Sequence, residues 1–247
     1  THLACLCDLK GTPEACAPQG NPRPGFHHDP TMRLPAIAVF TKTPVLGQVK
    51  TRLSTLLSAD ERLALHVACI EDLAEKLEPL RDSFEIHIFQ TEPGELPEMC
   101  SHFKASLQST GDLGKRLETA ARSLLESAHE SVIFLGSDCP HLDPALLLQS
   151  AEQLRHCQVV IGPSADGGYY LLGLRRLHPA LFHNIEWGTE TVLGETIKRL
   201  QEQGIDFRLL AESFDLDRPE DLKRLLRSPA QTFAPRTANL LRKLNIR

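Results

Sequence analysis

Val132-Ile133-Phe134-Leu135-Gly136-Ser137-Asp138-Cys139-Pro140-His141-Leu142 is the stretch on which the reading of the fold turns. Its first four residues are an unbroken apolar run, the pattern of a strand buried on both faces of a parallel sheet. Pro140 lacks the ladder N–H and restricts the residue before it, so the strand ends at Gly-Ser-Asp-Cys-Pro. Asp138 is thereby offered at the carboxyl end of a central strand, where open α/β sheets bind ligands. An Asp there also reads as a helix cap or a turn residue, and the rest of the chain has to supply its partners.

Working outward, other short apolar runs read as strands: Ala36–Phe40, Phe84–Phe89, Phe103–Gln108, Gln158–Gly162, Tyr169–Leu174 and Phe207–Leu210. Helical stretches lie between most of them. Ser58-Ala59-Asp60-Glu61 has the spacing of a capping box and opens a helix that runs to about Pro79. Asp143-Pro144, Thr189–Gln203 and the segment after Pro219 begin or form others. Strands alternating with helices predict an α/β fold with a mainly parallel central sheet flanked by helices. Asp166-Gly167 is a tight-turn signal that predicts one antiparallel departure.

The 247 residues carry a formal charge of −5, which argues against general nucleic-acid binding. Seven scattered cysteines fit free thiols in a reducing cytoplasm. No apolar run approaches a membrane span, and the first residues lack the basic flank and apolar core of a signal peptide. Residues 1–33, with Cys5, Cys7 and Cys16, read as a poorly ordered leader, 34–227 as the folded domain and 228–247 as a basic tail.

Four constellations carry chemistry. The loop after the first strand holds Gly47, Lys50, Thr51 and Arg52, which fit a phosphate cradle or, more plainly, a solvated loop. Gly111-Asp112-Leu113-Gly114-Lys115-Arg116 opens a helix either as a ligand-facing turn, with Arg116 over the ligand, or as an ordinary Asp112 cap. Asp138, Asp215 and Asp217 supply the hard oxygens that Mg²⁺ or Mn²⁺ requires. Asp217 also reads as a helix cap with Glu220 at N3, which leaves Asp215 the better ligand. Finally, Asp166-Gly167-Gly168-Tyr169 and Trp187-Gly188-Thr189 form either a turn and core filler or a floor for a sugar or acceptor.

The ordered set Phe40-Thr41-Lys42-Thr43-Pro44…Val49-Lys50-Thr51-Arg52-Leu53, Gly111-Asp112-Leu113-Gly114…Arg116, Gly136-Ser137-Asp138-Cys139-Pro140, Asp166-Gly167-Gly168-Tyr169, Trp187-Gly188-Thr189 and Asp215-Leu216-Asp217-Arg218-Pro219 resembles the radical-SAM/selenodomain-associated transferase family. The resemblance runs from about Leu34 to Leu226 and implies the Rossmann-like GT-A fold of nucleotide-diphospho-sugar transferases. Lys50-Thr51-Arg52-Leu53…Ser58-Ala59-Asp60-Glu61-Arg62 is also similar to the 2-phospholactate guanylyltransferases, which share that fold. The expectation is a glycosyltransferase acting on a nucleotide sugar and a small-molecule acceptor with Mg²⁺ or Mn²⁺. Lys50, Arg52, Gly111 and Arg116 would meet the nucleotide and its phosphates. Asp138, Asp215 and Asp217 would meet the metal, Asp166 would act as base, and Gly167, Gly168, Tyr169 and Trp187 would form the substrate pocket. A nucleotidyltransferase using a nucleoside triphosphate is the alternative, although the familiar Gly-Gly-x-Gly-Thr-Arg opening is absent. A non-catalytic nucleotide-binding module is the other.

Overall fold

The computed structural model describes residues 33–246, so the expected leader lies outside the described residues except for Arg33. The strands are β1 (Ala36–Thr41), β2 (Glu85–Gln90), β3 (Lys104–Leu107), β4 (Val132–Gly136), β5 (Val159–Pro163), β6 (Tyr169–Leu174) and β7 (Phe207–Leu209). They form one seven-stranded sheet in the order β3-β2-β1-β4-β6-β5-β7. All neighbouring pairs are parallel except those made by β6, which runs antiparallel to both β4 and β5. The antiparallel departure expected from Asp166-Gly167 is therefore β6. No helix of the described residues is long and apolar enough to cross a membrane.

The helices are α1 (Ala59–Leu77), α2 (Leu113–Glu126), α3 (Ala145–Leu154), α4 (Val192–Glu202), α5 (Pro219–Arg227) and α6 (Pro235–Lys243). The α1 capping box forms as its spacing predicts, with the Glu61 N–H donating to Ser58 Oγ at 3.3 Å and the Ser58 N–H to Glu61 Oε2 at 2.8 Å. Helix α4 begins later than the expected Thr189, which leaves 187–191 as a loop folded against the β5–β6 turn.

Side chains alternate along each central strand, so the sheet is covered on both faces. Ile37, Val39, Ile133 and Leu135 pack with Ile70, Leu73 and Leu77 of α1 and with Leu147 and Leu154 of α3. Ala36, Ala38, Val132 and Phe134 face the other way, towards Leu117, Ala121 and Leu124 of α2 and Leu200 of α4. A third apolar cluster lies on the far side of α1, where Leu65 and Cys69 meet Leu222 and Leu225 of α5 and Leu241 of α6. The basic tail thus contributes to a core. This layering leaves the carboxyl ends of β1, β4 and β5 along one edge of the sheet. Between β1 and β4 the strand order reverses, since β2 and β3 lie beyond β1 on the other side. A topological switch point of this kind is where α/β sheets hold ligands.

Candidate active site

The ends of β1 and β4 are tied together at the switch point. Thr41 Oγ1, the last residue of β1, donates to Ser137 Oγ at 2.9 Å, and the Ser137 N–H donates to the Phe40 carbonyl. Burial holds the His66 pKa below its ordinary value, and its Nε2–H donates to the Lys42 carbonyl at 2.9 Å. Around these groups opens a cavity of about 530 Å³, lined by Thr41, Lys42, His66, Gln108, Arg116, Asp138 and Asp217 among others. That volume lies within the range of small-molecule sites.

Asp138 stands where the buried strand predicts, and the structure gives it a partner 88 positions away. Lys50 Nζ donates to Asp138 Oδ1 and to the Leu216 carbonyl, both at 2.7 Å. The Lys50 side chain is 2% exposed and that of Asp138 44% exposed, so the ammonium lies beneath the carboxylate and the carboxylate faces the cavity. Burial works against the charge of each member; their mutual attraction and hydrogen bond outweigh it, raising the Lys50 pKa and lowering that of Asp138. Lys50 also holds a left-handed backbone, φ 49°, which is strained for a residue with a Cβ. The sequence reading put this ammonium on ligand phosphates; in this conformation it serves Asp138.

The segment 213–217 is carried to the same place by backbone pairing. The Ser213 N–H donates to the Pro163 carbonyl, the Ala165 N–H to the Ser213 carbonyl and the Leu216 N–H to the Asp138 carbonyl. Asp215 and Asp217 therefore flank a residue bonded to the Asp138 backbone. Asp217 pairs with Arg52. Its expected role as a helix cap with Glu220 does not form. Helix α5 is capped one residue later in register, by Asp221 Oδ2 accepting from the Arg218 N–H at 2.7 Å and the Asp217 N–H at 3.2 Å. Asp217 is thus left free to pair at the site.

A second cavity, of about 950 Å³, adjoins the first across the Arg52–Asp217 pair, with Asp166, Gly167, Asp215 and Arg224 in its wall. Asp215 has no ion-pair partner among the described residues. Its pKa is pushed up to about 7 by burial first, then by the charges of Asp138 and Asp166, against the pull of Lys50. Lys50 answers Asp138 and Arg52 answers Asp217, which leaves Asp215 the carboxylate that a bound cation would compensate. Carboxylate oxygens are the donor type that Mg²⁺ and Mn²⁺ take. Asp138 and Asp217 line the first cavity and Asp215 and Asp217 the second, so the chemistry of the donor set suits such an ion while the carboxylates are spread over two adjoining walls.

The glycine-bearing segments serve packing as well as the site. Asp166 Oδ1 accepts from the Gly168 N–H at 3.1 Å, closing the turn. Gly167 has φ +89°, and a Cβ there would lie 2.2 Å from the Glu190 carbonyl oxygen, so the 187–191 loop fits only against glycine. Tyr169 and Trp187 do not reach the cavity wall. They meet edge to face at 6.3 Å between ring centroids and pack on the α2–α4 side of the core. A Cβ on Gly114 would lie 2.4 Å from Trp187 Nε1, so that glycine admits the indole. Gly111, with φ +112°, turns the chain into α2, where Asp112 Oδ1 caps the Lys115 N–H at 2.8 Å and the Gly111 carbonyl accepts from Arg116 Nε at 2.9 Å. Lys42 and Ser137, only motif neighbours in the sequence, line the first cavity with His66 and Gln108, which do not stand out there. Only His66 carried a signal, a polar residue on the apolar face of α1.

Comparison with known proteins places this geometry among related folds. A structure of a candidate nucleotide-diphospho-sugar transferase from Desulfovibrio desulfuricans G20 superposes with a TM-score of 0.72 at 26% identity, over 85% of this chain and 97% of that one. CMP:2-keto-3-deoxy-manno-octonic acid synthetase complexed with CTP is similar at a TM-score of 0.50 and 13% identity, over 78% of this chain and 97% of that one. The 4-diphosphocytidyl-2C-methyl-D-erythritol synthase of Anaerococcus prevotii DSM 20548 is similar at 0.50 and 12%, over 75% and 92%. These last two likenesses are of fold alone. A search of the curated proteins finds no match. Residues 58–189 match the family described as "Uncharacterized protein conserved in bacteria (DUF2064)", more than half of the chain, and the protein belongs to that family.

Proposed function

We propose that this protein is a metal-dependent transferase that moves a sugar from a nucleotide-diphosphate sugar to a small-molecule acceptor. The observation that carries the reading is the Leu216 N–H bond to the Asp138 carbonyl, which sets the Asp215–Asp217 segment beside the end of β4 at the switch point of the sheet. The likeness to the Desulfovibrio desulfuricans protein, named for nucleotide-diphospho-sugar transfer, supports the donor class.

In this reading the cavity between β1 and β4 takes the nucleotide, with Arg116 on its wall, and the cavity beside Asp166 takes the acceptor. Asp138 and Asp215, with Asp217 adjoining, hold Mg²⁺ or Mn²⁺, which supplies Lewis-acid stabilisation of the leaving diphosphate. Lys50 keeps Asp138 ionised and aimed at the cavity, and Gly111 gives the turn from which Arg116 projects. Arg52, more than half exposed, is placed to trade Asp217 for a phosphate. Asp166 is the base that receives the acceptor proton if configuration inverts. Gly167 lines that wall, Gly168 closes the turn beside it, and Tyr169 and Trp187 pack behind in the core. The free, buried Cys69, Cys100, Cys139 and Cys157 fit a reducing cytoplasm.

Replacing Asp138 with Asn is expected to lower metal-dependent turnover by at least about a hundredfold, the scale of losing one preorganised electrostatic group. The far-UV circular dichroism should stay near wild type while the unfolding midpoint falls, because the buried Lys50 ammonium loses its partner; undiminished turnover would remove Asp138 from the site. The donor is identified by thermal shifts with a panel of nucleotides and nucleotide sugars, with and without Mn²⁺. The similarity of Lys50–Arg62 to the guanylyltransferases favours a second reading, nucleotidyl transfer. Product analysis separates the two, since that reaction releases pyrophosphate and sugar transfer releases a nucleoside diphosphate. Metal-dependent binding without turnover across the panel would leave a non-catalytic nucleotide-binding module.

A further inference from the structure

At the opposite edge of the sheet, by the amino ends of the strands, three metal-ligating side chains converge away from both cavities. Glu85 and His87 stand two apart on β2 and so share a face, and His129 lies in the turn that precedes β4. Glu85 Oε1 is 3.0 Å from His87 Nε2 and 3.4 Å from His129 Nε2, and the three donor atoms lie within 4.8 Å of one another. The histidine side chains are 11% and 1% exposed. Their rings meet edge to face at 5.6 Å.

The orientation of His129 is informative. Its Nδ1–H donates to the Leu34 carbonyl at 2.7 Å, which in a neutral ring leaves the lone pair on Nε2. That nitrogen is buried and has no hydrogen-bond partner. It lies 3.4 Å from Glu85 Oε1 with no hydrogen bond between them, an approach of two lone pairs that a cation would relieve. A backbone carbonyl on one ring nitrogen with the other free is also the usual way a protein fixes a metal-binding histidine. Four-coordinate ligation at about 2.0–2.1 Å puts neighbouring donor atoms about 3.3 Å apart, close to the separations found here.

We propose that Glu85, His87 and His129 bind a divalent transition-metal ion of the zinc class, with solvent completing the coordination. Imidazole with one carboxylate suits Zn²⁺ rather than Mg²⁺ or Mn²⁺, so this ion differs in kind from that of the proposed active site. β1 pairs with β2 on one side and β4 on the other, so the ion clasps the strands that flank β1. Its role is structural and independent of the transferase reading. Arg33 donates to Glu85 Oε2 at 2.6 Å and holds the second oxygen, while Lys104 Nζ, on a half-exposed side chain, donates to Oε1 at 2.5 Å and is the cation the metal displaces.

The test uses the full chain, stripped with a chelator and titrated with Zn²⁺ by calorimetry and with Co²⁺ by visible absorption. Saturation at one high-affinity equivalent is expected, with tetrahedral Co²⁺ bands and an unfolding temperature that rises with Zn²⁺. Asp138→Asn should keep this binding unchanged, which separates the clasp from the active site. His87→Gln should weaken it at least tenfold. Lys104→Ala, at an exposed position, should tighten it severalfold by removing the competing cation. No saturable binding in the wild type, or affinity that Lys104→Ala and His87→Gln leave unchanged, overturns the proposal. The three side chains are then a plain polar cluster held by Arg33 and Lys104.

Discussion

His141 shows what a single residue contributes beside the site. It is 4% exposed, and its ring lies against Phe214 with centroids 4.1 Å apart. Burial first, then the charges of Lys76 and Arg224, lower its pKa to about 4. Between that value and the ordinary one of about 6.5, the unfolded chain binds a proton that the folded chain does not. Stability therefore rises with pH through this window and is lost on acidification, by an amount on the order of 3 kcal/mol from this residue. Urea unfolding between about pH 7 and pH 4 should show that slope, and His141→Gln should flatten it by about that amount; an equal slope in both proteins would mean the ring is free to protonate in place. His66 and His87, whose pKa values are also lowered by burial, add in the same direction. Asp138 was readable from its own neighbourhood, because a buried strand ending at Gly-Ser-Asp-Cys-Pro fixes where it stands. Its bond to Lys50 was not, because the two residues meet only when β1 and β4 become neighbours, and a Lys after a glycine loop looks the same whether it faces phosphate or carboxylate.

Helix ends divide in the same way between local and distant causes. The Ser58–Glu61 box is written within four residues and forms as spaced. Near Asp217 the same rule finds a box but misplaces it, since Glu220 and Asp221 are both acidic and only the backbone register decides which one turns inward. The start of α6 carries Pro235 as its first residue but no side-chain cap of its own. Ala234 offers no side-chain oxygen, and Pro235 supplies no N–H to satisfy. The next two amides are met by Asp72 of α1, whose Oδ1 accepts from the Arg236 N–H at 3.0 Å and Oδ2 from the Thr237 N–H at 2.8 Å. Asp72 is 1% exposed, so it brings a buried charge to the positive end of a helix. Asp72→Ala should cost about 2–3 kcal/mol, a lost cap together with two stranded donors. The urea midpoint reads that loss, and proteolysis within α6 should rise with it. A midpoint unchanged within error would mean that water caps the helix as well as Asp72 does.

For the whole molecule, the open point is where the folded unit ends. The family resemblance ends near Leu226, and the sequence beyond it reads as a basic amphipathic end that packs or frays. The structure sets α1 between the sheet and the pair α5–α6, and Ala234, Leu241 and Ile246 are buried in the cluster that also holds Leu53, Leu65, Leu216 and Leu222. Sparse leucines between arginines give a weak pattern along the sequence, and only the partner face on α1 makes them a core. Ending the chain after Arg227 should therefore uncover α1 and strand Asp72. Losing Leu241 and Ile246 alone removes about 3–6 kcal/mol of burial, comparable with the net stability of many domains. The effect should also reach the site, because Leu53 follows the Lys50–Arg52 turn and Leu216 supplies the carbonyl that holds Lys50. The shortened protein is expected to unfold at least about 10 °C lower, since about 2–4 °C accompanies each kcal/mol in chains of this size. It should also lose the thermal shift given by nucleotide sugar with Mn²⁺. A truncated chain that kept both its unfolding temperature and its ligand shift would restore the boundary at 227 and make α6 an ornament on a self-sufficient fold.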